Sequence, residues 1–356
     1  AQRITPDMLS LITLEQHLID RITAQVPGGA ANVQEIYPLA PLQQGVLYHH
    51  LSAEQGDPYL LQTRLAFDSI ERLLAWAGAL QQVIDRHDIL RTAVLSHGLA
   101  QPLQVVWRKA ELGVFEVTDL HEDSGTSRID QLQARFDARH HRMDLSQAPL
   151  AQLHYSLDPD NHRVVAVLLF HHLALDHTAL DVVLYEMRAL LFGQGHTLPP
   201  AVPYRNYVAQ ACLGNEAAHE AFFKALLADV DEPTLPLGHA DVQGDGAGIE
   251  HALLALDHGL AQGLRAQARR LGVSAASLMH VAWARVLGVL ANRSDVVFGT
   301  VLMGRSQAGE GADRALGMFI NTLPLRVDTA AGVEQGVLAT HRHLSALLAH
   351  EHASLA

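Results

Sequence analysis

The 356-residue sequence predicts an α/β protein built from two lobes, and three observations support this prediction. Segments typical of strands alternate with amphipathic segments typical of helices through both halves of the chain. A chain of this length exceeds what one hydrophobic core usually organises. A Pro-rich stretch at 195–208, GHTLPPAVPYRNYV, lies between the two halves and predicts a crossover from one lobe to the other.

The first half begins with leucine and isoleucine at helical spacing over 8–26, followed by the Gly-rich segment PGGAAN. We interpret residues 1–32 as a linker helix that precedes a first lobe at 33–195. Apolar, β-branched runs predict strands within this lobe, and 3.6-residue periodicity predicts helices. The strands are TRLAFD, VFEVTDL, AQLHYSL and RVVAVLLF, and the helices span 72–92 and 178–193.

The second half, 196–356, repeats this alternation and forms the second lobe. Ser274 is a suitable N-cap for a long apolar helix. The predicted strands are EHALLAL (250–256), 295–304 and 322–328, and the predicted helices span 258–271, 274–291 and 333–352. Because the sequence stops just after the last helix, we expect this lobe to be truncated at the C-terminus.

Composition limits the classes of function. The formal net charge of −13 argues against a nucleic-acid partner. The single cysteine, Cys212, excludes an intrachain disulfide framework and favours a reducing, cytoplasmic location. No apolar run reaches the ~18 residues that a membrane span needs, so we expect no membrane partner.

The strand RVVAVLLF leads directly into HHLALDH at 171–177. Because side chains alternate along a strand, His171 and His172 should point to opposite sides, and only one can face a cleft. Histidine suits acid–base chemistry because its ordinary pKa lies near neutrality. Two other interpretations stay open: a structural histidine at a strand end, and a metal site formed by His172, Asp176 and His177.

Several motifs occur together and in order. HHLALDH resembles the HHxxxDG signature of nonribosomal peptide synthetase condensation domains, and RHDILRT (86–92) resembles their RHExLRT motif. ITPDMLSL resembles the linker that follows a carrier protein. The other matching stretches are YPLAPLQQGVLYHHL (37–51), YRNYVAQ (204–210), VVFGTVLMGR (296–305), GMFINTLPLRV (317–327) and HEHASLA (350–356). The resemblance covers essentially the whole chain.

Two features distinguish this sequence from the basic signature. His177 stands where the signature has glycine, so a larger, titratable side chain narrows the turn and could line the channel. HHLSAEQGD (49–57) resembles the HH[I/L]xxxxGD pattern of dual epimerisation/condensation domains, through His49, His50, Gly56 and Asp57. From the residues alone, Gly56 also fits a helix end followed by a turn.

The resemblance implies two chloramphenicol-acetyltransferase-like lobes in a V-shaped pseudo-dimer, with a tunnel between them. It implies that an aminoacyl amine on a downstream carrier attacks a peptidyl thioester on an upstream carrier, with His172 beside the amine and His171 behind it. Asp176 is expected to hold the loop through an ion pair with Arg86 or Arg91, and Asn321 is expected to line the tunnel.

In the dual interpretation, His172 also inverts the Cα centre of the upstream residue from L to D before condensation. His49, His50 and Asp57 would then shape the site. The resemblance implies no cofactor and no metal bound by the domain itself, because substrates arrive on the phosphopantetheine arms of partner carrier domains.

The implied partners are the upstream and downstream peptidyl carrier domains and a neighbouring adenylation domain of the same megasynthetase. Four alternatives stay open. They are an ordinary condensation domain that joins L-residues, a coenzyme A-dependent acyltransferase of the same superfamily, a non-catalytic recruitment module, and a metal-dependent hydrolase built on His172 and His177.

Overall fold

The structure, a computed structural model, describes residues 3–121, 125–212, 214, 216–240, 249–305 and 311–353. These residues fall into two compact units. Unit 1 is drawn from Ala1–Leu213 with Arg305–Ile320, and unit 2 from Gly214–Gly304 with Asn321–Leu355. The final residues of the HEHASLA motif, 354–356, lie outside the described residues.

Unit 1 contains two sheets. One is a three-stranded antiparallel sheet in the order β1–β4–β3, and the other is a four-stranded mixed sheet in the order β2–β7–β6–β5, in which β5 and β6 are parallel. The strands are β1 (Val33–Pro38), β2 (Leu60–Phe67), β3 (Thr92–Leu95), β4 (Leu103–Trp107), β5 (Gly113–Glu116), β6 (Ala151–Asp158) and β7 (Arg163–His171).

Helices of unit 1 cover these sheets. The longest two, α3 and α5, contact each other and bury one face each, as their apolar periodicity predicts. The helices are α1 (Gln16–Ala24), α2 (Pro41–Ser52), α3 (Ile70–Arg86), α4 (Arg128–Arg135), α5 (His177–Leu191) and α6 (Tyr204–Cys212).

The N-terminal segment is packed into unit 1. Ile19 and Ile22 of α1 are fully buried against a cluster that includes Val33, Val105 and Trp107. Burial of side chains of this size stabilises a fold by about 1.5–3 kcal/mol each. The region predicted as a linker therefore shares a buried apolar cluster with the β1–β4–β3 sheet of unit 1.

Unit 2 is organised around a two-stranded antiparallel sheet, β8 (Asp295–Leu302) paired with β9 (Asn321–Asp328). Apolar side chains of α9 and β9, such as Leu287 and Leu325, form its buried cluster. Its helices are α7 (Glu216–Leu227), α8 (His258–Leu271), α9 (Ala275–Ala291) and α10 (Val333–Leu348). Ser274 caps α9 as predicted, because its side chain accepts a hydrogen bond from the N–H of Ser277.

Two sequence-based expectations need correction. The strand predicted at 250–256 is irregular, with Leu253 and Leu254 100% and 90% exposed. An apolar run forms a strand only beside a hydrogen-bonding partner, and no described strand pairs with this segment. The boundary predicted at 195/196 lies further on, because Tyr204 and Tyr207 of α6 are buried in unit 1.

Within the described ranges, no single helix has the length and apolar character to cross a bilayer. Only the bent pair His258–Leu271 and Ala275–Ala291 meets these criteria, and only when its two helices are taken together.

Candidate active site

The end of β7 delivers the histidine pair. Eight of the nine residues of β7 are buried, and the strand pairs with β2 so that Leu60 lies opposite His171. One step further, the N–H of His172 donates to the carbonyl oxygen of Tyr59 at 3.0 Å. The ladder between β2 and β7 therefore fixes the backbone of both histidines.

His172 is partly exposed, and its ring orientation is fixed by a backbone carbonyl. Nδ1 lies 2.9 Å from the carbonyl oxygen of Leu175. A carbonyl oxygen only accepts hydrogen bonds, so Nδ1 carries the proton. In the neutral ring, Nε2 is then unprotonated and able to accept a proton, which is the state required of a general base.

His171 is fully buried on the opposite side of the strand, as strand alternation predicts. Its Nδ1 accepts a hydrogen bond from the N–H of Leu173, so Nε2 carries the proton and donates to Asp57 Oδ2 at 2.8 Å. Burial lowers the pKa of His171, although the neighbouring carboxylate of Asp57 opposes this effect. His171 therefore stays neutral and supports the loop.

Asp57 connects the motifs HHLSAEQGD and HHLALDH through hydrogen bonds. Its Oδ2 also accepts a hydrogen bond from Nδ1 of His50 at 2.5 Å, and its Oδ1 accepts one from the N–H of Tyr59 at 2.9 Å. Burial alone would raise the pKa of this carboxyl group, but the hydrogen bonds from His171 and His50 hold it well below its ordinary value. Asp57 is therefore ionised.

The donor atoms of His50, Asp57 and His171 all lie within 4.8 Å of one another, close enough to be considered as metal ligands. A neutral histidine that binds a metal through Nε2 carries its proton on Nδ1 and donates it. In His171, Nδ1 instead accepts from Leu173. The arrangement therefore favours a hydrogen-bonded network at these three side chains.

The loop that carries Asp57 has a glycine for a steric reason. Gly56 has φ +66°, and a Cβ at this position would lie 2.3 Å from the carbonyl oxygen of Ala138. Arg142 holds the same loop through hydrogen bonds to the carbonyl oxygens of His50, Ala53 and Gly56. Only glycine permits this close approach, which brings Asp57 into contact with His50 and His171.

Asp176 forms an ion pair as predicted, but the prediction of Arg86 or Arg91 as its partner was wrong. Asp176 pairs with Arg305, whose Nη2 lies 3.0 Å from Oδ1. The same oxygen accepts from the N–H of Ala179 and caps α5, while Oδ2 accepts from the N–H of Phe319. Asp176 therefore holds the segment 311–320 beside the loop, and Arg305 also stacks over the Phe319 ring.

The two arginines predicted as partners have other contacts. Arg86 donates to Glu186 of α5 and to the carbonyl oxygen of Pro199. Arg91 donates to Gln34 and to the carbonyl oxygen of Trp107. Both face parts of unit 1 other than the HHLALDH loop, so the proposed structural pairs with Asp176 do not form.

Three other predicted site residues lie apart from this network. Asn321 is buried, and its Nδ2 donates to the carbonyl oxygens of Glu351 and Ala353. Its amide is thus occupied within unit 2, and its role in lining a tunnel stays a prediction. His177 is exposed as the first residue of α5, and His49 is exposed at the end of α2.

A cavity of about 280 Å³ is lined in part by His50. The cavity also has charged and polar walls, which include Arg21, His97, Asp144 and Ser146. His172 is not among its lining residues, so the cavity is separate from the partly exposed face of the histidine loop.

Three residues of this region were not predicted from the sequence: Tyr59, Arg142 and Arg305. Arg305 is the last residue of the motif VVFGTVLMGR, and Tyr59 follows the GD pair of HHLSAEQGD by two positions. Their places in or beside these motifs could have identified both as candidate site residues. Arg142 lies in a His- and Arg-rich stretch without a motif, so nothing in the sequence singled it out.

An α/β chain in which a buried strand ends in an oriented histidine, with Nε2 left to accept a proton, has the features of an acid–base catalyst. The family model described as "Condensation domain" matches residues 33–355. The chain therefore belongs to the condensation domain family. The resemblance to condensation domains of nonribosomal peptide synthetases is thereby confirmed.

Relatives and solved structures agree with this assignment. Malpinin synthetase and malpibaldin synthetase, both from Mortierella alpina, are 52% and 47% identical over 99% of this chain. The chain spans only 4% and 6% of their respective lengths. The chain is thus similar to one small part of much longer synthetases.

The solved structures support the fold. The chain is similar to the first condensation domain of the CDA synthetase, with a TM-score of 0.66, 18% identity, and coverage of 89% of this chain and 76% of that one. It is also similar to holo-AB3403, a four-domain nonribosomal peptide synthetase, with a TM-score of 0.72, 18% identity, and coverage of 91% and 25%. The predicted α/β, chloramphenicol-acetyltransferase-like fold is confirmed.

Proposed function

We propose that this condensation domain joins two carrier-bound substrates through a peptide bond. The amine of a downstream aminoacyl thioester attacks the carbonyl carbon of an upstream aminoacyl or peptidyl thioester. The C–N bond forms, the C–S bond breaks, and the upstream carrier leaves as a thiol. His172 Nε2 hydrogen-bonds the attacking amine and accepts its proton.

One observation carries this proposal: the hydrogen bond from His172 Nδ1 to the carbonyl oxygen of Leu175 leaves Nε2 as the acceptor on a partly exposed ring. A positioned base typically accelerates a reaction by about 10²–10⁴-fold. Holding two tethered reactants in contact can supply more, roughly 7–11 kcal/mol in favourable intramolecular cases. Positioning is therefore expected to contribute at least as much as proton transfer.

We further propose that the domain inverts the upstream residue from L to D before it condenses the chain. Support comes from the contact between the two motifs, because His50 and Asp57 of HHLSAEQGD hydrogen-bond directly to the network of His171. In this proposal His172 removes the Cα proton next to the thioester, and His50 and Asp57 shape the site. An ordinary L–L condensation is the alternative outcome of the test.

The proposed partners follow from this chemistry. Upstream and downstream carrier domains deliver the substrates on phosphopantetheine arms, and an adenylation domain loads them. The domain itself then needs no bound cofactor. A cytoplasmic setting is proposed because the chain has a single cysteine, Cys212, which is exposed and free.

The test mixes the protein with a donor carrier loaded with L-alanine, L-leucine or L-phenylalanine and an acceptor carrier loaded with glycine. Chiral analysis of the dipeptide, after hydrolysis from the acceptor carrier, reports both activities. A D-residue supports the dual function, and an L-residue supports ordinary condensation. His172→Ala should reduce dipeptide formation by about 10²-fold or more, whereas the exposed-site control His140→Ala should not.

Three results would contradict these proposals. Dipeptide formation by His172→Ala at the wild-type rate would remove the catalytic role of this histidine. If the His172→Ala variant still exchanged the donor Cα proton with solvent deuterium, the histidine would not be the base for inversion. A wild-type protein that formed no dipeptide from any of these donors would count against condensation activity.

A further inference from the structure

Tyr59 occupies the position directly opposite His172. In the β2–β7 pair, Leu60 lies opposite His171 and Leu61 opposite Phe170, so the antiparallel register places Tyr59 opposite His172. The hydrogen bond from the N–H of His172 to the carbonyl oxygen of Tyr59, 3.0 Å, continues this register by one residue. Directly opposed residues of antiparallel strands project from the same face, with Cβ atoms about 4.5–5.5 Å apart.

Burial follows the same alternation. Leu60 and His171, which face inward, are 3% and 0% exposed, whereas Tyr59 and His172 are both partly exposed. The phenol and the imidazole therefore project from one accessible face at the edge of the sheet.

The backbone of Tyr59 is held on both sides. Its N–H donates to Asp57 Oδ1 at 2.9 Å, and its carbonyl oxygen accepts from His172. Its ring lies beside that of His49, with centroids 6.0 Å apart and planes tilted by 35°. The motif residues His49 and Asp57 thus both act on Tyr59, which gives the HHLSAEQGD segment a direct connection to the histidine loop.

The phenol is suited to donate a proton. Burial raises the pKa of Tyr59, and the nearby carboxylate of Asp57 raises it further. The hydroxyl group is therefore protonated at neutral pH, while the hydrogen bond from His172 Nδ1 to Leu175 makes Nε2 the acceptor atom of the neutral imidazole. Stereochemical inversion through two groups requires a base and an acid, and a substrate Cα lying between the imidazole and the phenol would face one of each.

We propose that Tyr59 is a second catalytic residue of this site, and that it delivers a proton to Cα on the face opposite to the one His172 deprotonates. This inference rests on the proposed epimerisation. It assigns the inversion to a pair of groups and assigns condensation to His172 without Tyr59.

The proton balance closes without any further reactant. His172 Nε2 takes the Cα proton, and the electron pair of the C–H bond moves into the thioester as an enolate. The Tyr59 hydroxyl then donates its proton to the other face of Cα, and the electron pair returns to form the new C–H bond. The imidazolium and the phenolate exchange a proton through solvent, which restores the starting state.

The experiment compares wild type, Tyr59→Phe and the matched control Tyr48→Phe in deuterium oxide. Tyr59→Phe removes only the hydroxyl group and keeps both backbone hydrogen bonds, and Tyr48 is exposed on α2. Each protein receives a donor carrier with L-phenylalanine or with D-phenylalanine and an acceptor carrier with glycine. The chirality and Cα deuterium of the donor residue are measured in the recovered donor and in the dipeptide.

We expect Tyr59→Phe to reduce inversion by about 10²-fold or more, and to reduce it far more than it reduces condensation of the D-donor. His172 can still remove the Cα proton and return a deuteron from the same face. The recovered donor of the variant should therefore gain deuterium while it stays L. A residue with only a structural role would not produce deuterium incorporation with retention.

Three outcomes would overturn the inference. Inversion by Tyr59→Phe within about threefold of wild type and Tyr48→Phe would show that the hydroxyl is not required. Loss of D-donor condensation together with inversion would show a structural role. If wild type condenses the L-donor without inversion or deuterium uptake, the proposed epimerisation itself fails and the role of Tyr59 falls with it, whereas condensation by His172 stands.

Discussion

Asp176 and Arg305 form a buried ion pair in which Nη2 of the arginine lies 3.0 Å from Oδ1 of the aspartate, across 129 residues of sequence. Their side chains are 1% and 11% exposed. Because Asp176 also caps α5, one carboxylate fixes the start of this helix, the loop after β7 and the segment 311–320. The loop shape is therefore set by a contact that is distant in sequence.

Replacement of Arg305 with glutamine should destabilise unit 1. The substitution leaves the carboxylate of Asp176 buried without its cation, which typically costs 3–5 kcal/mol, so we expect a decrease of about this size in the free energy of unfolding. Arg64→Gln is the matched control, because its pair with Asp130 is about half exposed and should contribute ~0–1 kcal/mol. Urea unfolding followed by circular dichroism measures both variants, and equal losses would contradict the prediction.

The elements that local pattern determines were predicted well. Strand β7 ends at His171, one residue beyond the predicted end, and α5 begins at His177 directly after its N-cap, Asp176. The ion-pair partner of Asp176 could not be predicted from local pattern. Arg86 and Arg91 lie in a motif that resembles a known one, but nothing local indicates that Arg305 lies nearer to Asp176.

The same distinction applies to the candidate site. The pattern HHLSAEQGD identified His50 and Asp57 as functional candidates, yet spacing alone could not show that they meet His171, which lies 114 residues after Asp57. Tyr59 was missed for a related reason. Its significance comes from the register between β2 and β7, and register depends on pairing between two distant segments.

Acidification should destabilise the fold through His154. Burial and the neighbouring His141 lower the pKa of His154 to about 4. In the unfolded chain this ring binds a proton near its ordinary pKa of ~6.5. Between these two values the unfolded state binds more protons, so stability decreases as the pH falls through this window.

The test measures the free energy of unfolding of wild type and His154→Phe between pH 7.5 and pH 4.5. The contribution of one titrating group is at most ~1.4 kcal/mol per pH unit, and it is reduced here because the ring is only partly buried. The phenylalanine retains the aromatic contact with Phe136, whose ring centroid lies 4.1 Å from that of His154. The variant should lose less stability than wild type on acidification, and parallel curves would show that His154 does not contribute.

Gly56 should tolerate no side chain. An alanine there combines a φ of +66° with a Cβ only 2.3 Å from the carbonyl oxygen of Ala138. Gly29 is the control, because it has φ +65° and no atom within 4 Å of a Cβ. Gly29→Ala therefore reports the backbone cost alone, about 1 kcal/mol, and Gly56→Ala should lose clearly more stability in urea unfolding. Losses of equal size would mean that the loop can move away from the clash.

Asp57→Asn keeps the size of the side chain, so it tests whether the hydrogen bonds of the Asp57 carboxylate stabilise the fold. If the amide nitrogen replaces Oδ2, it faces the N–H groups of His50 and His171, and three donors then lack an acceptor. If the amide is flipped, its nitrogen meets the N–H of Tyr59 instead. His171 cannot escape by changing tautomer without losing the hydrogen bond from Leu173. Hydrogen bonds to a charged group contribute about 1.5–3 kcal/mol each, so we expect destabilisation of ~3 kcal/mol or more.

The same substitution should also change the stereochemistry of the product, because Asp57 holds the N–H of Tyr59 beside His172. We expect the ratio of D to L dipeptide to fall relative to wild type, and the ring-proton NMR signal of His171 Nε2 to shift upfield. Asp130→Asn, which alters an exposed carboxylate of similar size, should change neither quantity. An Asp57→Asn protein with wild-type stability and product ratio would mean that the buried carboxylate neither stabilises the loop nor positions Tyr59.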